Sequence, residues 1–299
     1  MRAAVTGGAG FIGSNLVDAL VARGDDVVVV DDLSFGRREF LNPAAEFVER
    51  DIRDGVELDG VETVFHLAAQ TDVQTSVREP ATDASANVIG TIMVAEAARR
   101  AGARIVFTST GGAIYGECDG PAPEGSSRRP LSPYGIAKLC AEEYLAGWNR
   151  IHGSSHVVCR LANVYGPRQD SSLEGGVVAI FLERLARGEE TIVFGDGLQT
   201  RDFVFVGDVV AALLAAAGHD GGVFNVGTGE ETTVLGLHRA CAEVAGREAE
   251  PRLEPARLGD VRRSVLDVSL AAAELGFRAQ TGLAEGLART WAWTVEQVR

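Results

Sequence analysis

The sequence predicts an α/β protein built on a doubly wound parallel sheet, followed by a smaller C-terminal α/β lobe. Strand-like and helix-like segments alternate through the first half of the 299 residues, which indicates parallel strands with helices on both faces. A glycine-rich turn joins the first strand to the first helix. Beyond Tyr165 the loops lengthen and the strands shorten. We therefore expect one domain over residues 1–165 and a second lobe over 166–299, with segments around 201–230 packing back onto the first domain.

The predicted elements follow in order along the chain. The first strand leads into a helix over 11–23, and Gly24 ends that helix. Later strands are expected at 27–30, 47–48, 64–67, 104–108 and 156–160. Helices are expected at 87–101 and from Ser132 onward, and then at 177–187, 209–217, 234–245 and 283–293. Ser132 is a good N-cap residue, and Pro133 suits the first helical turn.

The glycine-rich turn has the spacing of a dinucleotide-binding loop. Gly7, Gly10 and Gly13 lie three residues apart, between a predicted strand and a predicted helix. Such glycines allow a tight turn and close approach of the backbone to a pyrophosphate at the helix N-terminus. The second strand ends at Asp31 and Asp32, where an acidic side chain can bind the adenosine ribose. Together these features predict a Rossmann domain that binds NAD, and Asp31 should repel the 2′-phosphate of NADP.

Lys138 is the only lysine of the chain, since the other 27 basic residues are arginines. An ammonium is a compact point charge, whereas a guanidinium is a planar fork, so the exception suggests a role that arginine cannot fill. Tyr134 lies four residues earlier and therefore on the same helix face. A neighbouring cation stabilises a phenolate, so we expect the pKa of Tyr134 to fall from about 10 towards neutrality.

Composition excludes several classes of partner. The net charge of −14 argues against binding to nucleic acid or to an anionic membrane surface. The four cysteines have no metal-binding spacing, so we expect reduced thiols and no metal site. No signal peptide or long apolar span is recognised, which predicts a cytoplasmic protein. Any phosphate-bearing ligand must then be met by local arginines, of which several fall in the Gly/Pro-rich loops of the second lobe: Arg168, Arg201, Arg257, Arg262 and Arg263.

With these motifs assembled, the chain resembles the extended short-chain dehydrogenase/reductases, and most closely their UDP-galactose 4-epimerase group. The resemblance runs over nearly the full length, through TGGAGFIGSNL, HLAAQTDV, NVIGT, FTSTGGAIYGE, SPYGIAKL, CRLANVYGPRQ and PARLGDVRRS. It implies NAD as cofactor, a UDP-sugar as substrate bound by the C-terminal lobe, and a homodimer formed through the helices near 87–101 and 133–150.

The resemblance also implies roles for individual residues. The cofactor-binding residues would be Gly7, Gly10, Phe11, Ile12, Gly13, Asp31, Asp32, Asp51, Ile52, Ala68, Ala69, Asn87, Ser109, Tyr134 and Lys138. The substrate-binding residues would be Asn163, Arg201, Arg257, Asp260 and Ser264. Tyr134 would take the proton of the sugar 4-hydroxyl while C4 transfers a hydride to NAD, and the hydride would return to the opposite face.

One position departs from the family pattern. The family places a catalytic Ser or Thr four residues before the Tyr-Gly of this loop, and that position is Gly111 here. Thr110 or Ser109 is expected to supply the hydroxyl instead. A second substitution concerns specificity: where the family has a bulky Tyr beside the C2 substituent of the sugar, this chain has Ser264, which predicts that N-acetylated sugars also fit.

The fold is shared by enzymes with other reactions. Sugar-nucleotide 4,6-dehydratases carry Asp-Glu at the positions of Gly112 and Ala113, and UDP-glucuronate decarboxylases carry an acid at the second of these. Neither residue here can move a proton, which favours epimerisation of a UDP-hexose. Epimerisation of another nucleotide sugar, such as UDP-glucuronate, stays open. A non-catalytic NAD-binding regulator would typically lack the Tyr/Lys pair that this chain retains.

Overall fold

A seven-stranded parallel sheet forms the centre of the molecule. The computed structural model describes residues 1–172, 176–256 and 261–298. The sheet has the order β3-β2-β1-β4-β5-β6-β11, and each neighbouring pair is parallel. Its strands are β1 (Arg2–Thr6), β2 (Asp26–Asp31), β3 (Glu46–Glu49), β4 (Thr63–His66), β5 (Arg104–Thr110), β6 (Val157–Leu161) and β11 (Gly222–Val226). The predicted α/β class with a doubly wound parallel sheet is thus confirmed.

Short strands build three smaller sheets beside the main one. β7 pairs with β10, β9 lies between β12 and β14, and β8 pairs with β13. Their bounds are β7 (Asn163–Tyr165), β8 (Ile192–Phe194), β9 (Thr200–Arg201), β10 (Phe203–Phe205), β12 (Thr232–Thr233), β13 (Arg252–Glu254) and β14 (Arg263–Ser264). Because β7 follows β6 almost directly, these sheets start at the carboxyl edge of the main sheet, where ligands of such folds bind.

Eleven α-helices are found in the described residues. They are α1 (Phe11–Ala22), α2 (Val73–Arg78), α3 (Pro80–Ala84), α4 (Gly90–Ala101), α5 (Gly111–Ile114), α6 (Pro133–His152), α7 (Val177–Arg187), α8 (Val206–Ala216), α9 (Val234–Val244), α10 (Ser269–Glu274) and α11 (Leu283–Val298). A π-helical turn over Ser85–Ile89 joins α3 to α4. Within the described residues, every helix is too short or too polar to span a bilayer.

Apolar side chains cover both faces of the main sheet. On one face α1 and α8 pack together over β1, β6 and β11, with Leu16, Val209 and Phe224 fully buried. On the other face α4 and α6 cover β4 and β5, where Val94 and Leu145 are fully buried. A separate apolar cluster joins α7, α9 and α11. The residue bounds of the two predicted domains stay a prediction, although β11 is an edge strand of the main sheet and α8 packs on that sheet.

Several element bounds differ from the sequence expectation. The helical segment before β5 begins at Pro80 and not at Asn87, and Pro80 occupies the first helical position, as proline often does. α11 extends to Val298 and not only to Trp293. Its buried face includes Thr290 and Thr294, whose hydroxyls donate to carbonyls four residues earlier, so polar residues hide part of the helical pattern.

Candidate active site

The glycine turn after β1 has the close packing that the sequence predicts. Gly7 has a φ of +73°, and a Cβ at this position would stand 2.7 Å from the amide nitrogen of Ala68. A Cβ at Gly13 would stand 2.1 Å from the carbonyl oxygen of Gly7. α1 then begins at Phe11 without any side-chain cap from Gly10. Its first amide groups, including that of Ile12, are therefore available for an anion at the positive end of the helix.

Asp31 is held in place by the turn that it faces. Its carboxylate accepts hydrogen bonds from the amides of Ala9 and Leu33, both at 2.9 Å, and it is 7% exposed. Burial raises the pKa of Asp31, while these two amide hydrogen bonds oppose the rise. Asp32 is exposed, and its carboxylate accepts from the amide and hydroxyl of Ser34. The structure thus separates the two acidic residues: Asp31 lies at the glycine turn and Asp32 forms a local turn.

Asp51 and Ile52, which the resemblance places among the cofactor-binding residues, lie just after β3. Asp51 caps a short 3₁₀ turn over Ile52–Asp54 and pairs with Arg53. Ile52 is buried and lies against Gly90 at the start of α4, where a Cβ would meet its Cδ1 at 2.5 Å. The main chain therefore brings α4 close to the carboxyl edge of the sheet.

A network of buried polar side chains follows β4, beside Ala68 and Ala69. Asn87 accepts from the amide of Gln70 at 3.0 Å and donates to its carbonyl at 2.9 Å. Asn87 also donates to Asp83 at 2.9 Å, and Gln70 donates to the same carboxylate oxygen at 2.9 Å. Sequence reasoning found Asn87 but missed Asp83, since a lone acidic residue in a short helix carries no motif.

His66 extends this network back to β1. Its ring nitrogens bond Thr6 at 2.7 Å and Thr91 at 3.0 Å. Thr91 donates to the carbonyl of Asn87 at 2.7 Å, so its oxygen accepts from His66, and the proton of the neutral ring is therefore assigned to Nε2. Burial, assisted by the charge of Lys138, lowers the pKa of His66 to about 3. His66 is thus a neutral structural residue.

The end of β5 presents the two candidate hydroxyls. Ser109 is 4% exposed, and its Oγ is buried without a hydrogen-bond partner in the described part of the chain. Thr110 is partly exposed and precedes α5. A buried hydroxyl without a partner at a strand end is a natural place for a ligand to bind.

Tyr134 and Lys138 lie on one face of α6, as predicted. Ser132 caps this helix by accepting from the amide of Gly135 at 3.1 Å. Lys138 is 3% exposed, and its ammonium donates to the carbonyl of Thr108 at 3.0 Å and lies 4.7 Å from the Phe107 ring centroid. Burial lowers the pKa of Lys138 to about 8, against the opposing charges of nearby carboxylates.

The prediction that the pKa of Tyr134 falls is wrong for the protein without a ligand. Tyr134 is mostly buried, and burial raises its pKa above the ordinary value, with the charge of Asp83 adding to the rise. Among the described residues no hydrogen bond joins Tyr134 to Lys138, because the ammonium is bonded to the end of β5. Ionisation of Tyr134 at neutral pH therefore requires a further positive charge.

Three of the predicted substrate residues lie together above the sheet edge. Asn163 is in β7, Arg201 is in β9, and Ser264 in β14 is in register with Arg201. A Cβ at Gly112 would stand 3.5 Å from the Asn163 side-chain oxygen, so position 112 faces this group. Two further predicted residues, Arg257 and Asp260, lie outside the described residues.

Three arginines of the second lobe are engaged by carboxylates. Arg262 binds Asp196 at 2.7 Å, Arg263 binds Glu231, and Arg168 binds Asp18 at 2.7 Å. These ion pairs are a simpler account of the three arginines than the diphosphate site that loop position alone suggests. Within the described residues no cluster of His, Cys, Asp or Glu has metal-binding geometry, and the four cysteines are free.

Comparison with known proteins agrees with this geometry. Residues 3–227 match the NAD dependent epimerase/dehydratase family. The chain belongs to this family. It is 50% identical to a UDP-glucose 4-epimerase of Mycolicibacterium smegmatis, with 97% of each chain covered. The crystal structure of the Thermotoga maritima UDP-glucose 4-epimerase with UDP-glucose has a TM-score of 0.97 and 48% identity over all of both chains.

A relative with a different substrate is also similar in structure. The UDP-N-acetylglucosamine 4-epimerase of Methanobrevibacter ruminantium has a TM-score of 0.94 and 31% identity, and the match covers 99% of this chain and 98% of that one. The resemblance inferred from the motifs is thus confirmed at the level of the family.

The residues present fit the dinucleotide that the family name implies. The glycine turn leaves room for a pyrophosphate at α1, and the lone pairs of Asp31 that are not used by Ala9 and Leu33 can accept ribose hydroxyls. The buried hydroxyl of Ser109, which has no hydrogen-bond partner among the described residues, lies near the carboxyl end of β5.

Proposed function

We propose that the protein is an NAD-dependent 4-epimerase that interconverts UDP-glucose and UDP-galactose. The observation that carries the proposal has two parts. Tyr134 and Lys138 lie on one face of α6, and the short helix α5 has no acidic side chain at Gly112 or Ala113. Position 112 faces Asn163 on the substrate side, where an acidic residue could act on a bound sugar. Without such a group, elimination of water lacks its acid, whereas epimerisation needs only proton exchange at the 4-hydroxyl.

The chemistry assigns one task to each residue. When bound, NAD supplies a positive charge and a hydride acceptor that returns the hydride to the sugar. Tyr134 as phenolate accepts the proton of the 4-hydroxyl as C4 is oxidised, and it gives the proton back when the 4-keto sugar is reduced on its opposite face. Lys138, fixed by the carbonyl of Thr108, contributes the positive charge that the protein itself places at this site.

Thr110 and Ser109 are the proposed hydroxyl groups beside the reacting oxygen. The partly exposed Thr110 suits a contact with substrate, and the buried Ser109 suits a contact with the cofactor. Asn163 and Arg201 are proposed ligands of the UDP diphosphate, together with Arg257, and Asp260 is proposed to bind the uridine ribose. Residues 166–299 would then act mainly as the substrate lobe.

We further propose a cytoplasmic homodimer. The α6 surface carries exposed apolar side chains, with Ile136 56%, Tyr144 39% and Ile151 73% exposed, and Ile89 near α4 is 51% exposed. An apolar helix face of this kind is typical of a subunit interface. Sedimentation at micromolar concentration tests the dimer, and a single monomeric species would contradict it.

The decisive experiment is incubation of purified protein with UDP-galactose, followed by separation of the two UDP-hexoses. We expect an equilibrium mixture with UDP-glucose and no net consumption of NAD. UDP-glucuronate in a parallel reaction tests the alternative epimerase. Formation of a 4-keto-6-deoxy sugar or release of carbon dioxide would contradict the proposal and identify a dehydratase or a decarboxylase.

A further inference from the structure

Asp83 is a fully buried carboxylate close to the proposed catalytic pair. It lies in α3 with 0% exposure. Its Oδ1 accepts hydrogen bonds from Gln70 and Asn87, both at 2.9 Å. Its Oδ2 is also buried and has no hydrogen-bond partner among the described residues. A buried carboxylate that is only half satisfied by hydrogen bonds is costly unless a cation compensates its charge.

Lys138 is the cation whose charge acts on Asp83, although no direct ion pair joins the two side chains among the described contacts. α3 packs against α6. Burial raises the pKa of Asp83, and the positive charge of Lys138 opposes this rise; burial lowers the pKa of Lys138, and the negative charge of Asp83 opposes this fall. Among the described residues, the Lys138 ammonium makes one hydrogen bond, to the neutral carbonyl of Thr108, and it lies 4.7 Å from the centroid of the Phe107 ring. Beyond these two contacts, the nearby carboxylates of Asp83 and Glu142 stabilise the charge of Lys138.

The other titratable groups around Lys138 are less suited than Asp83 to compensate its positive charge. Glu142, one turn further along α6, is already neutralised by Arg160 of β6, which binds it with contacts of 2.6 to 3.2 Å. His66 of β4 is neutral, and Tyr134 on α6 is protonated at neutral pH in the absence of a ligand. Among the described residues, Asp83 is therefore the buried carboxylate near Lys138 that has no arginine partner.

We propose that Asp83 is a positioning residue of the active site, which acts as the counter-anion of Lys138 and keeps its ammonium charged. Through Gln70 and Asn87 the same carboxylate ties the loop after β4 to the helical segment that leads into α4. The loop and the charge state of the catalytic lysine are in this way fixed by one side chain.

Removal of the Asp83 charge should shift two groups in the same direction. A negative charge stabilises the Lys138 ammonium, so its loss lowers the pKa of Lys138. The same charge disfavours the Tyr134 phenolate, so its loss lowers the pKa of Tyr134 as well. A purely structural role for Asp83 would not produce a common shift of both groups.

The sole lysine makes the first test site-specific. Protein labelled with carbon-13 at the lysine side chain gives a single ε-carbon resonance, whose pH titration reports the pKa of Lys138 without any need for activity. We expect Asp83→Asn to lower this pKa by about half a unit or more. Asp59→Asn, at an exposed position, is the matched control and should leave the titration unchanged. An unchanged Lys138 titration in Asp83→Asn would overturn the proposal.

Two further variants separate charge from structure. Gln70→Met removes one hydrogen bond to Asp83 but retains the charge, so the Lys138 pKa should stay near that of the wild type. Asp83→Ser replaces Asp83→Asn if the latter does not fold, as judged by circular dichroism. A fall of the Lys138 pKa in Gln70→Met equal to that in Asp83→Asn would show that loop position, and not charge, is what matters.

A second readout rests on the proposed function. Both limbs of the pH profile of kcat should move to lower pH in Asp83→Asn, because the essential base and the essential ammonium shift together. Limbs that stay in place while the rate falls would contradict the counter-anion role. Lack of epimerase activity in the wild type would refute the proposed function and leave the lysine titration as the test of Asp83.

Discussion

Gly111 lies directly against the side chain of Leu266. A Cβ at position 111 would stand 2.6 Å from one methyl group of Leu266 and 2.7 Å from the other. Leu266 is 1% exposed and packs with Ile114 and Tyr115. The family usually has a hydroxyl-bearing residue at this position. Here the side chain of Leu266 occupies the space that such a residue would need, which explains why this chain requires glycine at position 111.

The first prediction concerns this contact. Gly111→Ser should destabilise the protein by about 1–3 kcal/mol, because the leucine must move or the loop must shift. Leu266→Ala in the same chain should recover part of the loss, although this substitution alone costs about 2–5 kcal/mol through its cavity. Urea denaturation of the two single variants and the double variant measures the coupling. Additive effects would show that the two positions do not interact.

The second prediction concerns the proton acceptor. Tyr134→Phe should remove nearly all turnover of UDP-galactose, since Tyr134 is the proposed base and phenylalanine cannot accept a proton. NAD should stay bound, because Tyr134 is only one of the many residues proposed to contact the cofactor. Product analysis and quantification of the released dinucleotide measure the two effects separately. Near-wild-type turnover in this variant would exclude Tyr134 as the base.

The third prediction concerns the choice between NAD and NADP. Asp31→Asn should weaken NAD binding by about 10- to 100-fold, because an uncharged amide replaces a carboxylate that accepts ribose hydroxyls. The preference over NADP should narrow, since the charge that repels a 2′-phosphate is lost. Titration of both dinucleotides into cofactor-free protein measures the change. Asp32→Asn is the control. An equal loss of NAD affinity in Asp32→Asn would contradict the assignment of the ribose to Asp31.

The fourth prediction concerns the sugar. Ser264 is small and buried, and it lies in register with Arg201. We expect the enzyme to interconvert UDP-GlcNAc and UDP-GalNAc as well as the unsubstituted pair. Ser264→Tyr should suppress turnover of the N-acetylated pair by about 10- to 200-fold and spare UDP-galactose. A wild-type enzyme inert towards UDP-GlcNAc would mean that another residue closes the pocket.

The fifth prediction concerns the buried ion pair between Glu142 of α6 and Arg160 of β6. Glu142 and Arg160 are 3% and 2% exposed, and Arg160 also donates to Tyr115 at 2.8 Å. Glu142→Met alone should cost about 3–5 kcal/mol of unfolding free energy, because it leaves a buried guanidinium unpaired. The double variant Glu142→Met/Arg160→Met should be more stable than either single variant. Thermal denaturation of the three variants tests this order.

Local sequence determined much of this protein. The strand-turn-helix at residues 2–22 follows from apolar strand residues and from glycines whose missing side chains the turn requires. The cap at Ser132, the shared helix face of Tyr134 and Lys138, and the alternation that produces a parallel sheet also follow from short-range chemistry. These features could be predicted because each depends on residues within a few turns of one another.

Only the tertiary structure decided the electrostatics and the fine shape of the site. The pKa of Tyr134 depends on burial and on Asp83, which is 51 residues away in the chain and carries no motif. The need for glycine at position 111 comes from Leu266, which is distant in the sequence but packs directly against this position. Desolvation and steric contact act between groups that only folding brings together, so no pattern within either segment could reveal them.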